Sequence, residues 1–280
     1  MLTKQIFLLK NKCLACNEIN HLKYFNEERK ILECVKCNAI FSEEPINSKD
    51  AHKTKDTHVP SFSEKIKNKF THEYFWKILA DEYWDYLKDK TDMNFKTALD
   101  VGTYFGSLVS KMNKNGIDAW GIESNQNAVN LSGSKKVEYG YFDENYKSKT
   151  NFDLICLTQM IYYMRDNYSL LNHVKSMLNK DGLIFIAAAN PESSYFRNQL
   201  KSVIGGPGTN MILSKTNFES MEEKNGLKLL DYTSFRTNMF IDLYTSKHKK
   251  LDMMKYFLKL KKAYQKDPDG SHVFLLLKLI

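Results

Sequence analysis

Apolar positions along the chain follow two alternating rhythms. Short continuous runs at Ala98 to Val101, Ile117 to Ile122, Val137 to Tyr141, Phe152 to Thr158 and Leu183 to Ala189 have the length of strands, and Phe152 to Thr158 reads as one buried on both faces. Between them lie helical stretches: Leu108, Val109 and Met112; Asn125 to Leu131; and Tyr168 to Leu178, ended by Asp181-Gly182. Upstream, Thr71 to Lys88 repeats Phe75, Ile78, Leu79, Tyr83, Tyr86 and Leu87 at helical spacing, and Ser61 with Glu64 reads as a capping box ahead of it. Downstream, a helix over Asn217 to Asn225 stops at Gly226, and a strand over Leu227 to Phe235 follows. A basic amphipathic helix over Leu251 to Tyr264 and a last strand over His272 to Ile280 complete the chain. Strands alternating with helices predict an α/β, doubly wound, mostly parallel sheet of seven strands.

The pattern lapses twice. Ser42 to Pro60 is polar and charged, a linker or a lid over the substrate. Ser193 to Ser214 shows no clear strand and carries Gly205-Gly-Pro-Gly208, a flexible turn, so a substrate-capping insert is expected near 191–216. The resulting division is residues 1–44, a linker and helical lead-in over 45–95, and the α/β domain over 96–280.

The first strand–turn–helix–strand unit carries the chemistry. Glycines at 102 and 106 let the backbone come close to a ligand, and Glu123 ends the second strand where a carboxylate can accept both hydroxyls of a ribose. A dinucleotide site needs G-x-G-x-x-G to seat a pyrophosphate; here Asp100 precedes the turn and would repel phosphate. An acid there suits a cation such as the α-amino group of a methionine moiety, which favours S-adenosylmethionine.

Four of the five cysteines stand as Cys13-x2-Cys16 and Cys34-x2-Cys37, separated by 17 residues. Two such knuckles joined by a hairpin are the spacing of a four-thiolate zinc ribbon, structural because no coordination position is left open. Leu22, Tyr24, Phe25, Ile31, Leu32 and Val35 supply its short strands. Cys156, mid-strand, reads as a small buried thiol.

The succession LDVG, GIES, FDLICL and LNKDGLIFIAAANP resembles the class I S-adenosylmethionine-dependent methyltransferases, and the paired CxxC ahead of it is similar to the subset with an N-terminal zinc ribbon. The resemblance covers nearly the whole chain and implies a Rossmann-like sheet, S-adenosylmethionine as cofactor and, in that subset, sugar nucleotides or surface-polysaccharide precursors as acceptors. It implies cofactor contacts at Asp100, Gly102, Thr103, Gly106, Glu123 and Thr158, with adenine held at Gly140 to Asp143 by Asp143 or by backbone near Phe142. One position departs from the family pattern D-x-G-x-G-x-G: Tyr104 stands in place of the middle glycine. Where the sugar methyltransferases often carry Glu-His after the fourth strand, this chain has Tyr162-Tyr163. A tyrosine near its ordinary pKa of about 10 needs a marked downward shift to act as a base. Tyr162, Tyr163 and Asn190 are therefore expected to orient the acceptor, with Tyr163 the candidate for direct catalysis and Glu192 a second candidate base. Tyr74, Trp76 and Trp84 read as packing against the sheet rather than as a site floor, and His173 as exposed.

A formal charge of +8 and a pI near 9.0 admit an anionic partner, but no compact stretch interleaves Arg or Lys clusters with aromatics, so the charge reads as spread over solvated faces. No apolar run has the length of a membrane span, and Ile6 to Leu9 is too short for a signal-peptide core, so a cytoplasmic chain is expected. The expected activity is methyl transfer to an oxygen or carbon of a small carbohydrate-like acceptor, such as a sugar nucleotide. The alternatives are methylation of an RNA ring nitrogen, with the ribbon and basic charge gripping phosphates, or a methyltransferase-like scaffold without turnover.

Overall fold

The computed structural model describes residues 12–28, 30–43, 69–164, 167–199, 210–239 and 247–280. The capping box at Ser61, nearly all of the polar 42–60 stretch and the Gly205–Gly208 turn lie outside them.

Strands β1 (Leu22–Asn26), β2 (Ile31–Cys34) and β3 (Ile40–Ser42) run antiparallel beside the cysteines. Helix α1 (Lys69–Lys90) leads into β4 (Thr97–Val101), α2 (Ser107–Lys114), β5 (Asp118–Glu123), α3 (Gln126–Ser132) and β6 (Val137–Tyr139). Then come β7 (Phe152–Thr158), a 3-10 turn (Ile161–Tyr163), α4 (Asn167–Ser176), β8 (Leu178–Ala189) and α5 (Ser194–Gln199). The chain continues through β9 (Met211–Ile212), α6 (Lys215–Glu219), α7 (Met221–Asn225), β10 (Leu227–Thr237), α8 (Lys249–Phe257), β11 (Tyr264–Lys266) and β12 (His272–Leu279).

The large sheet has the order β11-β10-β12-β8-β7-β4-β5-β6. Strands β6, β5, β4, β7 and β8 are parallel neighbours, whereas β12 runs antiparallel to both β8 and β10. Successive strands are added to one side of β4 and then to the other, so the carboxyl ends of β4 and β7 flank a switch point, where open α/β sheets bind ligands. Strand β7 shows why the sheet is covered on both faces. Leu154 and Cys156 enter one core with α1 and α2, while Ile155 and Leu157 enter a second with α4, α7 and the cysteine-bearing segment.

Four details differ from the pattern read in the sequence. The sheet has eight strands, not seven, because the helix expected to run to Tyr264 stops at Phe257. Tyr264 is buried and its ring lies 4.8 Å from Phe274, which draws the chain into pairing with β10. Asp181-Gly182 does not end a helix; it is a bulge inside β8, where Asp181 takes φ 65° and the register jumps from Leu178 to Leu183. The helix over 217–225 divides at Ser220 into α6 and α7; Ser214 and Asn217 cap the first reciprocally and Gly226, at φ 63°, ends the second. Finally, the insert does contain a strand. β9, only two residues long, pairs with β3 and extends the cysteine-bearing sheet to four strands in the order β1-β2-β3-β9.

Candidate functional site

The carboxyl ends of β4, β5 and β7 open into a cavity of about 600 Å³, roofed by Phe75, Trp76 and Tyr83 of α1. That volume lies within the range of small-ligand sites.

Asp100, one residue before the end of β4, is 1% exposed, and its Oδ1 has no hydrogen-bond partner. Burial, with the charge of Glu123 adding to it, pushes its carboxyl from the ordinary 3.8 up to about 7, although the hydroxyls of Thr103 and Thr158 counter part of the rise. Glu123 is 7% exposed and is held rigidly: Oε2 accepts from the Tyr104 N–H at 2.8 Å and Oε1 from the Asn125 N–H at 2.8 Å. Burial raises its pKa as well. Two carboxylates thus face one cavity, and among the described residues no Lys, Arg or His side chain lines it.

Gly102, at φ 71°, starts the turn, and its N–H donates to the Ile122 carbonyl at 2.8 Å. Tyr104 takes a left-handed φ of 53°, a conformation that strains a side-chain-bearing residue. Its ring tilts onto Trp76 at 4.7 Å and forms part of the wall, leaving the cavity open. Thr103, Phe142, Thr158, Tyr162 and Tyr163 also line it.

Three expected site residues lie elsewhere. Gly106 caps α2 in the left-handed region at φ 70°, and a Cβ there would meet Val137 Cγ2 at 2.6 Å, so the glycine serves packing rather than the cavity. Asp143 spends Oδ1 on the Asn145 N–H at 2.9 Å, an Asx turn outside the lining. Asn190 is buried with its amide committed: Nδ2 donates to the Gly270 carbonyl at 2.9 Å and Oδ1 accepts from the Glu192 N–H at 3.1 Å. Glu192, the second candidate base, instead receives Asn38 Nδ2 at 3.1 Å. Nor does either tyrosine move toward basicity: burial raises Tyr163 and pushes Tyr162 well above its ordinary value. His173 is half-buried rather than exposed, its ring 5.4 Å from Phe142.

Two lining residues were not among the expected site residues. Gln159 follows β7 with φ 56°; its Oε1 accepts from Tyr162 Oη at 3.3 Å and its buried Nε2 has no partner. Tyr83 projects from α1 at 4% exposure, and burial lifts its pKa to about 12, against the opposing pull of Gln159 and Tyr264 beside its hydroxyl. Left-handed backbone at Gln159 could not be read without the structure, and the helical spacing of Tyr83 and Trp76 fits a core stripe equally well.

The four cysteines form the second centre. Their sulfurs all lie within 4.8 Å of one another, with Cys13 to Cys37 at 3.8 Å and Cys16 to Cys34 at 3.7 Å. These separations exceed a disulfide bond of about 2.05 Å. They match the edge of a tetrahedron of thiolates about 2.3 Å from a central zinc, about 3.8 Å. Around the cluster, Ser214 Oγ donates to the Cys37 carbonyl at 2.5 Å and Lys224 Nζ to the Ala15 carbonyl at 3.3 Å. Buried Glu33 of β2 pairs with Arg197 of α5 at 2.6 Å. Asn210, 3% exposed, links this sheet to the cavity wall. Its carbonyl accepts from the Ser42 N–H at 2.8 Å, its N–H donates to the Tyr162 carbonyl at 2.7 Å and its Nδ2 to the Tyr163 carbonyl at 2.8 Å.

A family model described as a methyltransferase domain matches residues 70–237. Among solved structures, a Haloferax volcanii putative methyltransferase in complex with the Trm112 methyltransferase activator is 14% identical, with 72% of this chain and 92% of that one covered and a TM-score of 0.52. A Thermotoga maritima S-adenosylmethionine-dependent methyltransferase, described as a possible histamine N-methyltransferase, is 14% identical over 83% of this chain and 99% of that one, with a TM-score of 0.52. The plantazolicin methyltransferase BpumL, solved with SAH, is 17% identical over 83% and 95%, with a TM-score of 0.50. At such identities the likeness is one of fold. Comparison with curated proteins finds no match in sequence.

Proposed function

The chain belongs to the methyltransferase-domain family, and from that premise we propose that it moves the methyl group of S-adenosylmethionine to an oxygen or carbon of a small, carbohydrate-like acceptor. The observation that carries the cofactor reading is the pair of buried carboxylates at the ends of adjacent strands, one with an unpartnered oxygen. Asp100 suits the α-amino group, because a cation there would satisfy Oδ1 and lower the cost of its buried charge. Glu123, fixed by two backbone N–H groups, keeps lone pairs for the ribose hydroxyls. Gly102 gives close backbone approach, and Thr103 and Thr158 complete the polar rim. With Asp143 committed to its own turn, backbone beside Phe142 is the better partner for adenine.

S-adenosylmethionine, when bound, supplies an electrophilic methyl on a sulfonium. The protein's remaining tasks are to hold the acceptor in line and to exclude water. Aromatic walls offer apolar faces to the C–H side of a sugar ring, while the buried Tyr83 hydroxyl and Gln159 amide at the cavity wall offer polar groups to its hydroxyls. Tyr162 and Tyr163, with raised pKa values, stay protonated and act as positioning donors rather than bases. No cation lines the cavity among the described residues, so the part of the acceptor held there is neutral, and any activating diphosphate stays outside it.

We assign the cysteine cluster to one structural zinc held by Cys13, Cys16, Cys34 and Cys37, on the fit of the sulfur separations to a closed tetrahedral site. The test of the cofactor reading is thermal. At about 1 mM, S-adenosylhomocysteine or S-adenosylmethionine should raise the melting temperature by several degrees, since a ligand at 100 times its Kd adds about 2.7 kcal/mol. Indifference to both would end it.

A further inference from the structure

We propose that α8 and the turn after it form a docking surface for an anionic lipid membrane. The helix is built with its apolar residues on the wrong side for a core. Tyr256, 2% exposed, points inward, and the Phe257 ring meets Tyr74 edge-on at 4.5 Å. At about 100° per residue, positions 251, 254 and 258 lie roughly 140–160° around the helix from Tyr256. All three are apolar and open to solvent: Leu251 is 53% exposed, Met254 44% and Leu258 56%. Phe257 at 45% and Leu260 at 74% border the same strip. Single exposed apolar side chains are ordinary on a protein surface. Among the described residues, five of the thirteen large exposed ones fall within ten consecutive residues, which is a patch rather than scatter.

Charge selects the occupant. Residues 247–262 contain seven lysines against one aspartate. Lys255 pairs with Asp252 at 3.0 Å, Lys259 with Asp85 at 3.1 Å, and Lys261 lies 5.6 Å from the centroid of the Tyr256 ring. The Lys259–Asp85 pair is exposed on both sides, and such a pair is weak enough to exchange its carboxylate for a lipid phosphate. A second copy of this chain would bring lysines against lysines. A nucleic acid would use the lysines and leave the apolar strip in water. An apolar strip flanked by lysines fits the boundary between acyl chains and anionic headgroups, where an amphipathic helix lies in the plane of the surface. The contact would be peripheral, since among the described residues no helix is long and apolar enough to cross a membrane.

The experiment is flotation of the full chain with vesicles of phosphatidylcholine alone or with about one-third phosphatidylglycerol, at low and high salt. The expected result is binding to the anionic vesicles only, weakened by salt. The exposed triple variant Leu251→Ser, Leu258→Ser, Leu260→Ser should partition at least about tenfold more weakly with an unchanged melting temperature. Lys247→Glu with Lys262→Glu should weaken binding as well. Failure to float with either vesicle overturns the proposal. So does a triple variant that floats like the parent, which would leave charge alone as the cause. A concentration-dependent dimer abolished by the triple variant would assign the face to a second copy, and binding of structured RNA in preference to vesicles would assign it to nucleic acid. Neither the cofactor nor the acceptor enters this test.

Discussion

Replacing Asp100 with Asn should make the ligand-free protein more stable and the cofactor complex weaker. The carboxyl is 1% exposed and its pKa is raised from 3.8 to about 7, chiefly by burial. Its folded pKa lies above its unfolded one, so the folded state holds the extra proton between those values. The stability this confers is complete below about pH 4 and is lost as pH rises through 7; at about 1.4 kcal/mol per pKa unit the loss is roughly 4 kcal/mol. Asn keeps the shape and cannot ionise. At pH 8 the variant should therefore melt above the parent by several degrees, up to about 10 °C, and at pH 4 the two should nearly coincide. Its affinity for S-adenosylhomocysteine should fall, because a hydrogen bond from an ammonium to a charged partner is worth about 1.5–3 kcal/mol, or roughly tenfold to a hundredfold in Kd. Calorimetric melting at both pH values, paired with titration of the ligand, reads both effects. A variant no more stable at pH 8, or one that binds the ligand as tightly as the parent, would refute the reasoning.

Three other perturbations separate the roles of neighbouring residues. Gly106→Ala places a Cβ 2.6 Å from Val137 Cγ2 at a left-handed φ, so it should cost about 1–3 kcal/mol in urea unfolding while the intact fraction binds S-adenosylhomocysteine normally. Cys37→Ser should abolish stoichiometric zinc by atomic absorption and lower the melting temperature, as should a strong chelator on the parent; a metal-free parent of equal stability would remove zinc from the account. Asn210→Ala removes the hydrogen bond to the Tyr163 carbonyl, a loss of about 0.5–1.5 kcal/mol, and should speed amide exchange at residues 161–164 while leaving 100–104 and ligand affinity unchanged.

Much of the fold could be read from the chain because its strands are covered on both faces. A run such as Phe152–Thr158 has no other stable setting, and the alternation of such runs with helices leaves few topologies. The positions of Asp100 and Glu123 follow from the same pattern: Glu123 ends β5 and Asp100 lies one residue before the end of β4. The misreadings concern side chains whose partners are remote in sequence. Asn190 follows β8 as expected, but what it bonds is the Gly270 carbonyl, 80 positions away. Gly106 stands in a glycine-bearing turn and is required by Val137 instead of by a ligand. The aromatic stripe of α1 illustrates a limit of periodicity, since Trp84 is core while Trp76, two turns earlier, lines the cavity.

The position of the cysteine cluster argues that it is more than a staple for a small N-terminal segment. A ribbon that only closed itself would need β1, β2 and β3; here β3 also pairs with β9, which the chain supplies some 170 residues later, and Ser214 just beyond β9 bonds the Cys37 carbonyl. Asn210, immediately before β9, holds the carbonyls of Tyr162 and Tyr163. The path from the sulfurs to the tyrosine wall of the cavity is therefore short and runs through hydrogen bonds, backbone ones at β3–β9 and Asn210 and side-chain ones from Ser214 and Asn210. On the carboxylate side, Asp100 and Glu123 belong to strands paired on both sides, β4 and β5, and need no such brace. Loss of the ribbon should accordingly loosen the tyrosine wall first and spare the carboxylate pair.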